Sequence, residues 1–260
     1  MKRQRGFALV VVLWTIGILA LLVSALVASA SREAKLAAAL RNQAAGRAAA
    51  DAVLSEAIVD TLRSGTVPGR RRFGEALVDV GVLDLSGRMN PNLASAVMLQ
   101  ALLTGVGVEP RAAENLAAAI VDWRTPGLSP GPHGAKAAAY RAAGMAYGPP
   151  GRPFENLDEL GYVLGMNPAL LAALKPHLTL WSTSDPDPAY ADAVVLVALR
   201  LGGAPPVASA GNEARVLSLT AVAALPGAAR VTRRAVVRFG YSPDGRGWRV
   251  LAWDDGETAP

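Results

Sequence analysis

The chain has 260 residues, room for a membrane segment plus one globular region of ordinary size, itself divisible into two lobes. Apolar residues make up 52% and aromatics only 5%, so burial rests mainly on Ala, Val and Leu, which favours helices and small-residue packing. There is no cysteine, which excludes disulfides, cysteine-based zinc sites and thiol catalysis; of the +5 net charge, Lys2, Arg3 and Arg5 all precede Gly6, and without them +2 remains, so the charge gives little reason to expect a nucleic-acid partner.

The basic start is followed by an uncharged stretch from Phe7 to Ala30, and Arg32 is the next charge. At ~1.5 Å per residue this stretch makes about 36 Å of helix, enough to cross a hydrocarbon core of about 30 Å with some tilt. The basic flank places the N-terminus in the cytoplasm and the rest of the chain outside. Ala28-Ser29-Ala30 has the small residues of a secretory cleavage site, but the apolar run before it is too long for a signal peptide. A plain membrane anchor explains the length equally well.

Arg5-Gly6-Phe7-Ala8-Leu9 separates these readings. A Gly followed by Phe at the cytoplasmic edge of the apolar run resembles the prepilin leader. The resemblance implies cleavage between Gly6 and Phe7 by the prepilin peptidase and N-methylation of Phe7. A residue without Cβ suits a cleavage site, because it resists helix formation and lets the peptide extend in a protease cleft. Pilins and pseudopilins normally carry Glu at the fifth position after the cut, where its carboxylate is thought to neutralise the amino terminus of a neighbouring subunit. Here that position is Val11, and a subunit with no neighbour above it has no such amine to neutralise, so Val11 points to a filament tip.

From Ser31 to about Ser64 the composition is Ala, Arg, Glu and Leu without Pro, and Leu54, Ile58 and Leu62 recur every fourth residue, so the helix continues beyond the membrane. Gly65-Thr66-Val67-Pro68-Gly69 ends it. Residues 76–85 alternate as a strand, or as two joined near Gly81, and Ser86-Gly87 turns the chain. Helices are predicted over 92–104, 110–123, 135–143, 156–164 and 167–174, with Pro110, Asn156 and Pro168 as start signals. Strands are predicted over 192–201, 215–224, 230–240 and 247–253, with Pro205-Pro206 and Ser242-Pro243-Asp244-Gly245 as turns or loops. Within 230–240, Val231, Ala235, Val237 and Phe239 share one face and Thr232, Arg234 and Arg238 the other, while Arg233 breaks the rule.

The fold class is therefore α+β: a long N-terminal transmembrane pilin helix and a pilin-like antiparallel sheet with a large inserted α-helical lobe of helix-hairpin-helix or SAM-like type. The expected divisions are a leader at 1–6, a transmembrane helix at 7–30, its periplasmic continuation at 31–65, the first strand or strands at 66–90, the lobe at 91–178 and C-terminal strands at 179–260.

Over essentially its whole length the chain resembles the K-type minor pseudopilin (GspK) family of the type II secretion system. The resemblance rests on the leader, the missing glutamate, Leu85-Ser86-Gly87-Arg88-Met89-Asn90-Pro91-Asn92, Ile120-Val121-Asp122-Trp123, and Pro153-Phe154-Glu155-Asn156-Leu157-Asp158-Glu159-Leu160 with Gly165-Met166. It implies an inner-membrane subunit with a periplasmic head that caps the pseudopilus and helps start its assembly. The implied partners are other minor pseudopilins, the prepilin peptidase and the inner-membrane secretion platform.

The family often carries an acidic, calcium-binding loop after the Asp-Trp segment. Here no Asp or Glu occurs between Asp122 and Glu155, so the loop is poor in the carboxylates that calcium prefers, and no metal or other cofactor is expected. Asp185-Pro186-Asp187-Pro188 reads as a rigid linker. His133 and His177 are the only histidines, neither has a carboxylate or nucleophile at suggestive spacing, and no phosphate-binding loop is present, so no catalytic residue is assigned. Trp123, Trp181, Trp248 and Trp253 are expected in cores or at a subunit interface. Leu103-Thr104-Gly105-Val106-Gly107-Val108 and Leu160-Gly161-Tyr162-Val163-Leu164-Gly165-Met166 resemble helix-hairpin-helix turns, which makes a membrane-anchored DNA-binding protein of the DNA-uptake kind the alternative. Neither has a basic cluster beside it, and Glu109 and Glu114 oppose a phosphate.

Overall fold

The computed structural model describes residues 4–67, 69–203, 215–227, 229–240 and 247–256. Lys2, Arg3, Pro68, Pro205-Pro206 and Ser242-Pro243-Asp244-Gly245 lie outside them.

Helix α1, Gln4–Ser64, runs unbroken for 61 residues, ~90 Å at the usual rise. It is long and apolar enough to cross a membrane, and its apolar window is wholly exposed. Within this chain the first half packs against no other described element, an exposure that suits side chains facing lipid. The second half changes role at Gly46, which is buried, and Ala49, Ala50, Val53, Leu54, Ala57 and Ile58 then face a sheet. These recur at three- and four-residue steps, the stripe an amphipathic helix needs. Gly65, at φ +69°, stops the helix and donates its amide to Thr61 O at 2.9 Å.

The sheet has five antiparallel strands in chain order: β1 Arg70–Phe73, β2 Ala76–Asp84, β3 Arg215–Ala224, β4 Val231–Phe239 and β5 Trp248–Asp255. β2 is one strand, since Gly81 keeps its register opposite Thr220. Ala76, Val78, Val80, Leu217, Leu219, Ala221, Ala223, Ala235 and Val237 meet the α1 stripe in a first core. The helix sits close: a Cβ on Gly46 would lie 2.8 Å from Val231 Cγ2. β1 was missing from the sequence reading because Arg70-Arg71-Arg72 carries no apolar alternation. It is an exposed edge strand, held by Arg70 against Asp79 directly opposite and by Arg71 against Asp60 of α1. Charge on such an edge discourages a further strand from adding.

Between β2 and β3, which are sheet neighbours, the chain makes a second, helical lobe. Its helices are α2 Ala96–Gly105, α3 Pro110–Arg124, α4 Ala137–Ala142, α5 Pro168–Leu174 and α6 Ala193–Leu201, with a 3-10 helix over Leu157–Tyr162 where 156–164 was expected as helix. The start signals act as caps. Ser95 accepts from Met98 N, Asn156 and Glu159 form a capping box, and Asn167 accepts from Leu170 N ahead of Pro168.

One predicted element is wrong. Where 192–201 is expected as a strand, Ala193–Leu201 form α6 behind an Asp192 cap. Ala-Val-Val-Leu-Val-Ala-Leu is a short apolar run whose periodicity does not discriminate, and β-branched residues favoured the strand reading. Asp192 decides it locally by accepting from the amides of Val194 and Val195, and Val195, Ala198 and Leu199 then fall on one buried face against α2. The lobe core accordingly extends past residue 178, and the C-terminal segment from 179 is not all strand.

Candidate functional site

Leu85-Ser86-Gly87-Arg88-Met89-Asn90-Pro91-Asn92 is the joint between sheet and lobe. Leu85 is buried with Val216 and Val236 against Trp181. Ser86 Oγ accepts from Val216 N at 3.0 Å, and Ser86 O accepts from Asp187 N at 2.8 Å. Gly87 lies so near the main chain of Tyr190 that a Cβ would come within 2.1 Å of its carbonyl. Met89 is fully buried and bridges Leu178, while Asn90 Nδ2 donates to Ser182 O at 2.7 Å. Asn92 exchanges two hydrogen bonds with the Phe154 main chain, which ties this motif to the Pro153-Phe154 motif. From the sheet side, Arg215 pairs with Asp84 and stacks on Tyr190, and Arg238 donates to Trp181 O. Asp185-Pro186-Asp187-Pro188 thus serves as a turn against Ser86, in keeping with its linker character.

The other two motifs meet inside the lobe. Trp123 stacks on Phe154 with centroids 6.1 Å apart, and touches Tyr140, whose buried hydroxyl accepts from Leu164 N. Burial pushes the Tyr140 phenol up from its ordinary range. Trp181 lies in the joint, while Trp248 and Trp253 pack against the sheet core.

The loop after Asp122-Trp123 is the place where the family resemblance implies calcium. Both Asp122 carboxylate oxygens accept from Gly131 N at 3.2 Å, and Lys136 Nζ donates to Asp122 O at 2.5 Å and Thr125 O at 2.6 Å. Lys136 is 6% exposed. An ammonium held by two main-chain carbonyls, beside a single carboxylate already engaged by the loop, does not fit a calcium site of six to eight oxygens. Among the described residues no group of three or more His, Asp or Glu is placed to hold a metal ion.

Both histidines turn out to lie beside carboxylates, across distances that spacing did not reveal. His177 Nδ1 is 2.6 Å from Asp192 Oδ2 and His133 Nε2 is 3.6 Å from Glu114 Oε1. The Asp192 pair is structural, since its other oxygen caps α6. Burial raises the Asp192 carboxyl, but hydrogen bonds from His177 and the Val195 and Val194 amides outweigh it and hold it below the ordinary range.

The hairpin-like turns also resolve. At the start of α3, Glu109 Oε2 accepts from Arg111 N and Ala112 N, both at 3.0 Å, so a carboxylate takes the place a DNA phosphate would need. At the start of α5 the Asn167 side chain does the same. The turns are packing units, and the geometry does not support the DNA-binding alternative.

Residues 76–183 match the family described as type II secretion system (T2SS), protein K. Over these residues, less than half of the chain, the sequence is similar to the type II secretion protein K family. All three quoted head motifs lie inside the matched segment, which begins with β2 and ends at the joint. A chain of the GspK-GspI-GspJ complex of the enterotoxigenic Escherichia coli type 2 secretion system has the same fold, with a TM-score of 0.61 at 18% identity over 88% of this chain and 99% of that one. No curated protein matches the sequence. The matched segment thus takes in β2 and the helical lobe as far as the joint, and leaves α6 outside it.

At the N-terminus, Gly6 and Phe7 lie in the first turns of α1, and Val11 is 45% exposed within the apolar stretch. By length and composition α1 can cross a membrane, in a chain whose residues 76–183 are similar to type II secretion protein K.

Proposed function

We propose that this chain is a minor pseudopilin that caps the periplasmic pseudopilus and helps start its assembly for export of folded proteins across the outer membrane. The observation that carries the reading is the protein K domain set into a sheet packed on α1, whose apolar half has Val11 where a filament carboxylate is expected. A subunit below others in a filament needs a carboxylate to neutralise the amine of its neighbour in lipid; a subunit with no neighbour above it does not. Other minor pseudopilins are its immediate partners, by analogy with the complex of GspK, GspI and GspJ.

The prepilin peptidase cuts between Gly6 and Phe7 and the new Phe7 amine is methylated. Gly6 assists because it lies in the terminal turn of α1, where helix frays and a residue without Cβ unwinds most readily. The basic segment before the cut faces the cytoplasm, the head faces the periplasm, and α1 meets the secretion platform in the inner membrane. The protein has no enzymatic role in this reading.

Mass spectrometry of the purified protein's N-terminus tests the class: an N-methylated Phe7 is the expected result, and an intact Met1 or a start after Ala30 sinks it. Placement at the tip is tested by Val11→Glu. The extra carboxylate has no amine to pair with, so secretion falls while membrane levels hold. Unchanged secretion and partner recovery would remove the tip assignment.

A further inference from the structure

We propose that Lys136 is a built-in cation of the 122–136 loop, so that the loop is shaped by its own ammonium group and neither needs nor takes a divalent metal. The case begins with the end of α3. The last carbonyls of a helix lack intrahelical partners, and this end carries partial negative charge. Val121 O is satisfied by Thr125 N at 3.1 Å, and Trp123 O by Gly151 N at 3.0 Å. Asp122 O would ordinarily receive the amide four residues on, but that residue is Pro126, which has none.

Lys136 supplies the missing donor. Its ammonium bonds Asp122 O and Thr125 O together, from a residue 14 positions away from Asp122, and the side chain is buried. The Asp122 carboxylate meanwhile points the other way along the loop, to Gly131 N, and lies so near Gly134 that a Cβ there would come within 2.0 Å of Oδ2. The loop is therefore pinned twice by the same residue pair. Its carbonyls grip the ammonium, and the Gly131 amide grips the carboxylate. A divalent ion would have to displace a buried cation and pull Asp122 away from Gly131, and the segment from Trp123 to Phe154 offers no other carboxylate to repay it.

The test uses the full chain in detergent micelles, with calcium chloride as the probe. Thermal unfolding in millimolar calcium and in excess EDTA should agree within about 1 °C, whereas a site of micromolar affinity would lift the midpoint by several degrees. Such a lift overturns the proposal. Hydrogen exchange then reads the loop directly: in Lys136→Met the amides of Gly131 and Gly134 should exchange about ten-fold faster or more, in calcium and EDTA alike, while Lys136→Arg keeps most of the protection. Unchanged exchange in Lys136→Met, or protection restored to that variant by calcium, would equally overturn it. Neither readout depends on filament assembly.

Discussion

Arg233 of β4 reaches across the sheet-facing side of α1 and donates from Nε to Asp51 Oδ1 at 2.7 Å, joining residues 182 positions apart. The same Asp51 oxygen accepts from Trp253 Nε1 at 2.8 Å, and Arg233 Nη1 bonds Asp255, which also receives Arg47 of α1. This explains the break in alternation along β4. Arg233 lies on the helix-facing side with Ala235 and Val237, and it is tolerated there because its charge is met by two carboxylates. Those hydrogen bonds, Asp51 first, push the Arg233 guanidinium up, and Arg233 followed by Arg47 holds the Asp255 carboxyl below its usual range.

The first prediction follows from this contact. Arg233 is 13% exposed, while its partners are 34% and 62% exposed, so solvent screens part of the interaction. Arg233→Met should therefore cost about 1–2 kcal/mol rather than the full value of a buried pair. In thermal melts of the full chain in detergent, that is a drop of about 3–6 °C. A melt unchanged by the substitution would show that the ion pair does not hold α1 to the sheet.

Much of this architecture was legible in the chain itself. The apolar run from Phe7, the four-residue recurrence of Leu54 and Ile58, and the alternation in β2 and β4 are direct consequences of solvent and period, so they read correctly. The failures have physical causes as well. β1 carries three arginines whose strand state comes from pairing to β2 and Asp60. α6 was misread because a short Val-rich run is decided by Asp192 and by α2 beneath it. The Asp122–Lys136 arrangement and the two His-carboxylate pairs depend on contacts across loops, and no local pattern marks them.

Gly87 gives the second prediction. Its missing side chain lets the joint close on the Tyr190 main chain, and a Cβ would sit 2.1 Å from the carbonyl and 2.4 Å from Ala191 N. Backbone on both sides has no rotamer to give way, so Gly87→Val should cost about 3 kcal/mol or more, at the upper end of overpacking penalties. The lobe should loosen before α1 leaves the sheet, because Ser86, Asn90 and Arg215 fasten the same joint. Limited proteolysis should cut the segment around 183–192 faster in the variant. Equal cleavage rates would show that the joint tolerates the side chain.

Glu109 separates a packing role from nucleic-acid binding. Its carboxylate caps α3, so Glu109→Ala should lose about 1 kcal/mol of stability. The wild-type protein should not bind duplex DNA even at low salt, and Glu109→Gln should gain no binding, because Arg111 is the only cation in that first turn. Fluorescence anisotropy with labelled duplex checks both. Salt-sensitive binding by either protein would revive the hairpin reading.

Asp192 sets an acid limit on the lobe. Its carboxyl is held below the ordinary aspartate value of about 3.9, despite burial, by His177 and by two amides of α6. A depressed carboxyl adds stability that is fully present above the unfolded value and lost as pH falls through the folded one. Asn caps a helix nearly as well as Asp, so Asp192→Asn keeps the cap while removing the charge next to His177. The variant should melt lower than wild type at neutral pH, and the gap should shrink from about pH 4 downward and close at lower pH. Melts at a series of pH values measure it. A gap of constant size from neutral pH to acid would mean that the charge on Asp192 contributes nothing, and that only the shape of the cap matters.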